Sequence, residues 1–509
     1  LIAVLESPVK LRIPPELVNK AREELVYEDK KVTYEWLKYN KMLAQDNEYL
    51  RLLGQENCPN RPWFVMKNSR DELIAKVGEL QAKRFVSLLF QDDKGYWTYS
   101  GFVTRLFGKD AIIKREYTVP EWSYLNWDHE PKFQPRYYQI KAMELLAPED
   151  KSRVHGAVEI GTGLGKTFIM AQILNRLGLP AVIMVPTLSI AEQMLQDMQY
   201  WFGKGNVGQF YDGKKQPEKK IVIAVAASLT KVEDVSIFQD KKIIIVDEGH
   251  TLPAKSFKKV CLDLFDFIPY RYFFSATMLR SDGLGLLLEG AIGDVLYEMT
   301  VEDGIKQGFL TPLKFFQYQI VSTNKTNSKD PIEVNRVHLH NNKKIYKHAA
   351  ALLNHCVLKK GRRALVLVDT VDQYKLLLDG GLSVVSKFAH GPLTRENKES
   401  VPQSEWKNET QDLIKRFDGG EFQVLVGTSV IGMGVDCKSP DLLINLVGLT
   451  SEVEIRQGIG RLTRLFDGKK DSIYIDYDVV NIDLMHRHAA KRRKIYNSVY
   501  GKCQIMVAK

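Results

Sequence analysis

"AVEIGTGLGKTFIMAQIL" occupies residues 157–174 and joins an apolar run to a glycine-rich turn and then to a helix-like run. Strand, turn and helix in that order leave unpaired backbone N–H groups at a helix N-terminus, where the helix dipole attracts anions. Gly161, Gly163 and Gly165 let the backbone approach a ligand, with Thr162 and Leu164 between them. Lys166 adds a mobile cation and Thr167 a hydroxyl. The strict pattern G-x-x-x-x-G-K-[ST] asks for glycine where this chain has Ile160. On this stretch alone, a phosphate loop with a substituted first position competes with a structural turn that happens to precede Lys-Thr.

The runs that follow favour the phosphate loop. "AVIMVPT" (181–187), "IVIAVAAS" (221–228), "KIIIVDEGH" (242–250) and "YRYFFSAT" (270–277) are short, continuously apolar and closed by small or polar residues. Such runs suit strands buried on both faces, as in a parallel sheet covered by helices. Ligands of such sheets bind beyond the carboxyl ends of the strands, where these polar clusters fall. Asp247 and Glu248 end one run. Asp247 suits a Mg²⁺ contact and Glu248 the activation of an attacking water, although an acidic helix cap is the plainer use of Asp.

A second set of runs, "RALVLVDT" (363–370), "VVSKFAHG" (384–391), "FQVLVGTSV" (422–430), "LLINLVGL" (442–449) and "SIYIDYD" (472–478), predicts another α/β unit. The expected organisation is an accessory α+β domain at 1–130 that is a candidate for DNA binding, tandem parallel-sheet domains at 131–310 and 311–478, and a basic helical tail at 479–509. "VEDGIKQGFLTPLKFFQYQI" (301–320) is read as a bridge between the two sheets, which leaves the boundary near 310 soft, and "VSLLFQDDKGYWTYSGFV" as two strands around a D-D-K-G turn.

A chain of 509 residues exceeds one ordinary core, which agrees with several domains. No apolar run is long enough for a bilayer and no secretory leader is evident, so a cytoplasmic, membrane-free setting is expected. The five cysteines are scattered and never paired as C-x-x-C, which argues against disulfides and zinc. A net charge of +10 points to a polyanionic partner, with a basic enzyme that binds no polyanion as the plainer reading. Trp36, Trp63, Trp97, Trp122 and Trp127 in the first 130 residues are candidates for base stacking, though aromatic residues are more often core.

Taken in order, the motifs resemble superfamily 2 helicases of the DExH branch, whose motor consists of two RecA-like domains. "QPRYYQIKAMELL" (134–146) is similar to the motif ahead of the phosphate loop, which implies that Gln139 and Arg136 read adenine beside Phe133 or Tyr138. Family members often lack the first glycine of the strict loop. "VPTLSIAEQM" (185–194) resembles a motif that meets the nucleic-acid backbone, implicating Pro186 and Thr187. Val225 stands where the family often has Thr, leaving Ser228 as the substitute contact. "DEGH" implies coupling through His250, and "SAT" implies it through Ser275 and Thr277.

The resemblance continues through the second unit. "VLVGTSVIGMGVD" (424–436) places Thr428 near nucleic acid and Gly434 and Asp436 near the nucleotide. "RQGIGRLTR" (456–464) implies coupling through Gln457 and transition-state charge stabilisation by Arg461 and Arg464, one helical turn apart. ATP and Mg²⁺ are the implied ligands. The stretches "SATMLRSDG" and "GAIGDVLYEMT" resemble the XPB-like group and its UvsW-type phage relatives, which implies a monomer remodelling forks or Holliday junctions. That would place it in DNA replication, recombination or repair within a host cell. Arg487, Lys491, Arg492, Arg493 and Lys494 are expected to widen the electrostatic footprint. An RNA helicase or transcript-release ATPase on the same engine, and a DNA-binding protein without catalysis, remain open at this point.

Overall fold

The computed structural model describes residues 1–132, 134–150, 152–249, 254–276, 285–328, 330–391, 410–428, 437–448 and 452–508. Phe133, His250, Thr277, Gly434 and Asp436 lie outside the described residues, and so does the side chain of Gln457.

Strand Ile243–Asp247 shows how the first sheet is built. Every residue in it is buried. Ile243 and Ile245 belong to one core, and Ile244 and Val246 to another on the opposite face. That is the two-residue period of a strand covered on both sides. On one face the cover is helix Lys166–Leu177, through Ile169 and Ile173. The opposite face belongs to a cluster that holds Phe257, Val260 and Phe265 and extends to Leu5, Leu11 and Phe102 of the N-terminal unit.

The sheet has eight strands in the order Lys214–Lys215, Val207–Tyr211, Ile221–Val225, Ala181–Val185, Ile243–Asp247, Tyr270–Ser275, His155–Ile160 and Val295–Met299. Only the edge hairpin at 207–215 is antiparallel. The register pairs Asp247 with Phe274 and Ser275 with Glu159. The loops carrying Gly161, Glu248 and Ala276 therefore leave one edge of the sheet side by side.

A second, all-parallel sheet runs Ser386–Ala389, Val424–Gly427, Ala364–Leu367, Leu442–Asn445, Ser472–Val479, Leu313–Ile320 and Gln504–Val507. All nine apolar runs quoted above after the glycine-rich loop contain strands of these two sheets. The stretch read as a bridge instead supplies strand Leu313–Ile320, which pairs with both Ser472–Val479 and Gln504–Val507.

The N-terminal unit is a five-stranded sheet. Its D-D-K-G hairpin pairs Asp92 with Gly95, and Asp92 also receives hydrogen bonds from Lys10, Arg12 and the Lys94 N–H. The unit docks on helix Gly285–Ile292, where Arg105 pairs with Glu289 at 2.6 Å. Gly101 lies so close that a Cβ there would sit 2.2 Å from the Glu289 carbonyl oxygen. A helical pair, Lys30–Leu52 and Arg70–Lys83, stands on a two-stranded stem formed by Val26–Glu28 and Phe85–Ser87.

Two expectations are corrected here. The tail is not simply a basic helix: helix Asp483–Val499 is followed by strand Gln504–Val507, which joins the second sheet. Arg492 is fully buried, paired with Asp476 at 2.9 Å and donating to the Gly448 and Tyr477 carbonyls, so it holds the fold and faces no polyanion. Most of the tryptophans are also engaged within the chain. Arg84 lies over Trp36, Phe90 packs on Trp97, Trp122 donates to the Tyr270 hydroxyl and Trp127 stacks on Phe202. Trp63 is 54% exposed.

Candidate active site

The glycine loop is held from three sides. The Gly161 N–H donates to the Met299 carbonyl at 2.9 Å, and the Tyr138 hydroxyl and Gln139 Nε2 donate to the Leu164 carbonyl at 2.8 and 3.1 Å. Gly163 and Gly165 have φ of +85° and +81°, a region glycine enters without steric cost. Helix Lys166–Leu177 starts directly after Gly165, so its free N–H groups face the loop.

Lys166 Nζ donates to Glu248 Oε1 at 2.6 Å and to the Ile160 carbonyl at 3.4 Å. Burial opposes its charge, but Glu248 and Asp247 outweigh burial and the Lys166 pKa is raised. Glu248 Oε2 accepts from the Ser275 hydroxyl at 3.1 Å and from the Ala276 N–H at 3.3 Å. The Glu248 backbone has φ of +51°, a conformation that costs a non-glycine residue about 1–3 kcal/mol. Asp247 is buried, and its Oδ1 has no hydrogen-bond partner among the described residues. Burial, and after it the neighbouring Glu248, pushes its pKa up. A buried carboxylate oxygen without a donor, beside a threonine hydroxyl and a phosphate-type loop, is the chemistry a divalent cation satisfies.

The second sheet closes the space. A cleft of about 450 Å³ is lined by Gly163, Lys166, Thr167, Asp247 and Glu248 from one side and Lys438, Arg461 and Arg464 from the other. Burial lowers the pKa of both arginines to about 10, which leaves them cationic at neutral pH. Helix Glu452–Leu462 carries Arg461 and ends before Arg464. The chain turns there because Thr463 is buried, with its hydroxyl on the Gly460 carbonyl and its own carbonyl accepting from Thr311. The two arginines thus share the cleft without sharing one helix face. Arg461 Nε and Nη1 are buried and have no hydrogen-bond partner among the described residues.

Arg136 and Phe309 also line the cleft, with the guanidinium 4.9 Å over the ring. Gln139 does not line the cleft; its amide is held between the Arg136 N–H and the Leu164 carbonyl. Tyr138 is fully buried beneath Phe309 and has no face left for a base. Phe309, Gln193, Asp197 and Lys438 also line the cleft; Gln193 falls within the motif at 185–194 but is not singled out there, and Asp197 and Lys438 lie outside the quoted motifs. Phe309 falls within the stretch quoted above as a bridge between the two sheets.

Pro186 and Thr187 follow strand Ala181–Val185, Ser228 sits in the short helix Ala226–Leu229, and Thr428 follows strand Val424–Gly427. None of the four lines the cleft. All leave their sheets at carboxyl ends. Thr187 also caps helix Leu188–Phe202; Val225 is buried, and Ser228 and Thr230 beyond it are half-buried.

Residues 132–280 match the family described as type III restriction enzyme, res subunit, and residues 347–466 match the helicase conserved C-terminal domain. The chain is 22% identical over 396 residues to the DNA 3'-5' translocase XPB2 of Sulfurisphaera tokodaii, covering 71% of this chain and 85% of the relative. Its fold is similar to a single-residue variant of S. cerevisiae Dbp5 bound to RNA and ADP BeF3, with TM-score 0.51 and 17% identity over 74% of this chain and 90% of that one. It is also similar to the restriction-modification enzyme LlaBIII bound to DNA, with TM-score 0.53 and 14% identity over 74% of this chain and 31% of that one.

Proposed function

Because this chain is a superfamily 2 helicase with both motor domains in one polypeptide, we propose that it is an ATP-driven translocase that remodels branched DNA. One observation carries the reading. Lys166, Thr167, Asp247 and Glu248 from the first sheet share a single cleft with Arg461 and Arg464 from the second. Hydrolysis there depends on how closely the two sheets approach, so turnover and movement of one sheet against the other are coupled.

In this reading the loop N–H groups and Lys166 receive the phosphates, and Arg136 and Phe309 flank the base. Magnesium, held by Thr167 and Asp247, would neutralise phosphate charge when bound. Glu248 takes the proton of the attacking water. The pair between Lys166 and Glu248 at 2.6 Å must open for that, because each group is the other's partner in this structure. Arriving phosphate draws the lysine away and frees the carboxylate. Arg461, with two buried nitrogens awaiting acceptors, and Arg464 stabilise charge on the transferring group. Gly434 and Asp436 are assigned to the nucleotide by motif, and His250, Ser275, Thr277 and Gln457 to coupling. Pro186, Thr187, Ser228 and Thr428 are assigned to the nucleic-acid backbone.

DNA is favoured by the relative that is named a DNA translocase, and RNA by the likeness to an RNA-bound fold. ATP turnover measured with forks, four-way junctions, linear duplex and RNA decides between them. The expected result is the largest stimulation by forks and junctions, with loss of at least about a hundredfold in Lys166→Ala and Glu248→Gln, on the scale of removing a transition-state group. Stimulation by RNA alone, or none by branched DNA, overturns the substrate.

A further inference from the structure

The two strands of the N-terminal stem, Val26–Glu28 and Phe85–Ser87, carry an arm that belongs to none of the three hydrophobic cores. Its long helix, Lys30–Leu52, is 23 residues, or about 34 Å at 1.5 Å per residue. Only Asp46 of that helix is buried. Val65, Leu73 and Leu80 supply the buried apolar residues of the returning segments. An element of this length that buries so little is not retained for core stability.

Its cations differ in what they touch, and Lys76 and Lys83 both pair with Glu79. Exposed Arg51 pairs with Glu48, whereas Arg61, Arg70 and Arg84 face inward: Arg61 and Arg70 both bind buried Asp46, and Arg84 lies 4.1 Å over Trp36 while pairing with Glu28. These contacts fix the return of the chain and brace the stem. Lys30, Lys31, Lys38 and Lys41 are exposed and make no ion pair among the described residues. At about 100° per residue, Lys30, Tyr34, Leu37 and Lys41 form one stripe, with Lys31 and Lys38 at its margin. Tyr34 is 73% exposed and Leu37 54%. Lys30 and Lys41 stand about 16 Å apart along the helix, enough to reach phosphates on both sides of a major groove about 12 Å wide.

We infer that this stripe grips the phosphate backbone of a duplex branch, through Lys30, Lys31, Lys38 and Lys41, while the two sheets work at the junction. The inference rests on the nucleic-acid reading above and names the surface and the strandedness of its partner. Tyr34 and Leu37 lie between the cations, where they meet the apolar faces of the sugars. A duplex is chosen because a rigid helix with cations at fixed spacing fits a backbone of fixed geometry.

The test uses the full chain with Lys30→Glu, Lys31→Glu, Lys38→Glu and Lys41→Glu combined. Binding to a fork with duplex arms and to a single strand of equal length is measured over a series of salt concentrations. For forks, the slope of log affinity against log salt should fall by about 3 to 4, roughly one per phosphate contact. Single-strand binding, turnover without nucleic acid and the circular dichroism spectrum should stay unchanged. An unchanged fork slope, or an equal loss on forks and single strands, overturns the arm assignment and leaves the motor reading intact. Absence of nucleic-acid binding by the unaltered protein overturns both.

Discussion

At Gly460 a single missing Cβ decides how closely the two sheets meet. A Cβ there would lie 2.3 Å from the Thr162 Cβ and 2.4 Å from its Cγ2, so only glycine allows the arginine helix to rest on the phosphate loop. We expect Gly460→Ala to lower DNA-stimulated ATP turnover at least about tenfold, the equivalent of roughly 1.4 kcal/mol of transition-state stabilisation. Thermal unfolding should be unchanged, and adding Thr162→Gly should recover part of the activity. Turnover equal to that of the unaltered chain would show that this approach is not needed. The loop, Asp247, Glu248 and the arginines were legible in the sequence because each sits at a fixed offset from a strand or a glycine. Phe309 and Asp197 were not, since their place in the cleft depends on chain segments far apart in sequence. Gln139 was legible as a residue, but its hydrogen bond to the Leu164 carbonyl depends on the folded turn of the loop.

The closing elements of the chain show a different limit. Helix Asp483–Val499 reads as a charged surface helix, yet Arg492 points inward to Asp476. Periodicity does not separate a buried arginine from an exposed one when its partner is a carboxylate on a neighbouring strand. Strand Gln504–Val507 has only four residues, and its pairing with Leu313–Ile320 joins segments nearly 190 residues apart, so no local pattern announces it. Arg492→Met leaves Asp476 buried without its cation, the Gln317 amide still donating to it, and should cost about 3–5 kcal/mol, read as a lower denaturant midpoint. Lys491→Met, on the same helix but exposed, should change stability by less than about 0.5 kcal/mol. Equal midpoints for the two variants would contradict the assignment.

The N-terminal sheet carries its own acid sensitivity. Hydrogen bonds from Lys94 and then Lys10, with Arg12 nearby, lower the Glu6 pKa to about 2 against the opposing effect of burial. Hydrogen bonds from Arg12 and Lys10 lower the Asp92 pKa in the same direction. Both carboxylates bind protons less readily in the folded chain than in the unfolded one. Their contribution is therefore complete above about pH 4.5 and is lost as pH falls towards 2. Tryptophan fluorescence at falling pH should show an acid transition that moves to higher pH in Lys10→Ala; an unmoved transition would count against this network.

On the scale of the whole molecule, the cleft is a seam between two sheets, so ligand and movement share one coordinate. ATP analogue binding should raise the thermal midpoint of the intact chain, whereas Arg461→Ala combined with Arg464→Ala should bind the analogue with a smaller rise. An identical rise in both would place closure elsewhere. The overall two-sheet plan was legible because buried parallel strands are continuous apolar runs, while the docking of the N-terminal unit on helix Gly285–Ile292 rests on Gly101, whose reason appears only in three dimensions.

The stem has a consequence for how such a chain tolerates change. Glu28 and Phe85 are direct partners across an antiparallel ladder, so the arm leaves and re-enters the body at one point. A tight reverse turn joining those two residues would remove the whole excursion without displacing any strand of the body. The arm is therefore a cassette: it can be shortened, exchanged or deleted while the engine beneath it stays the same.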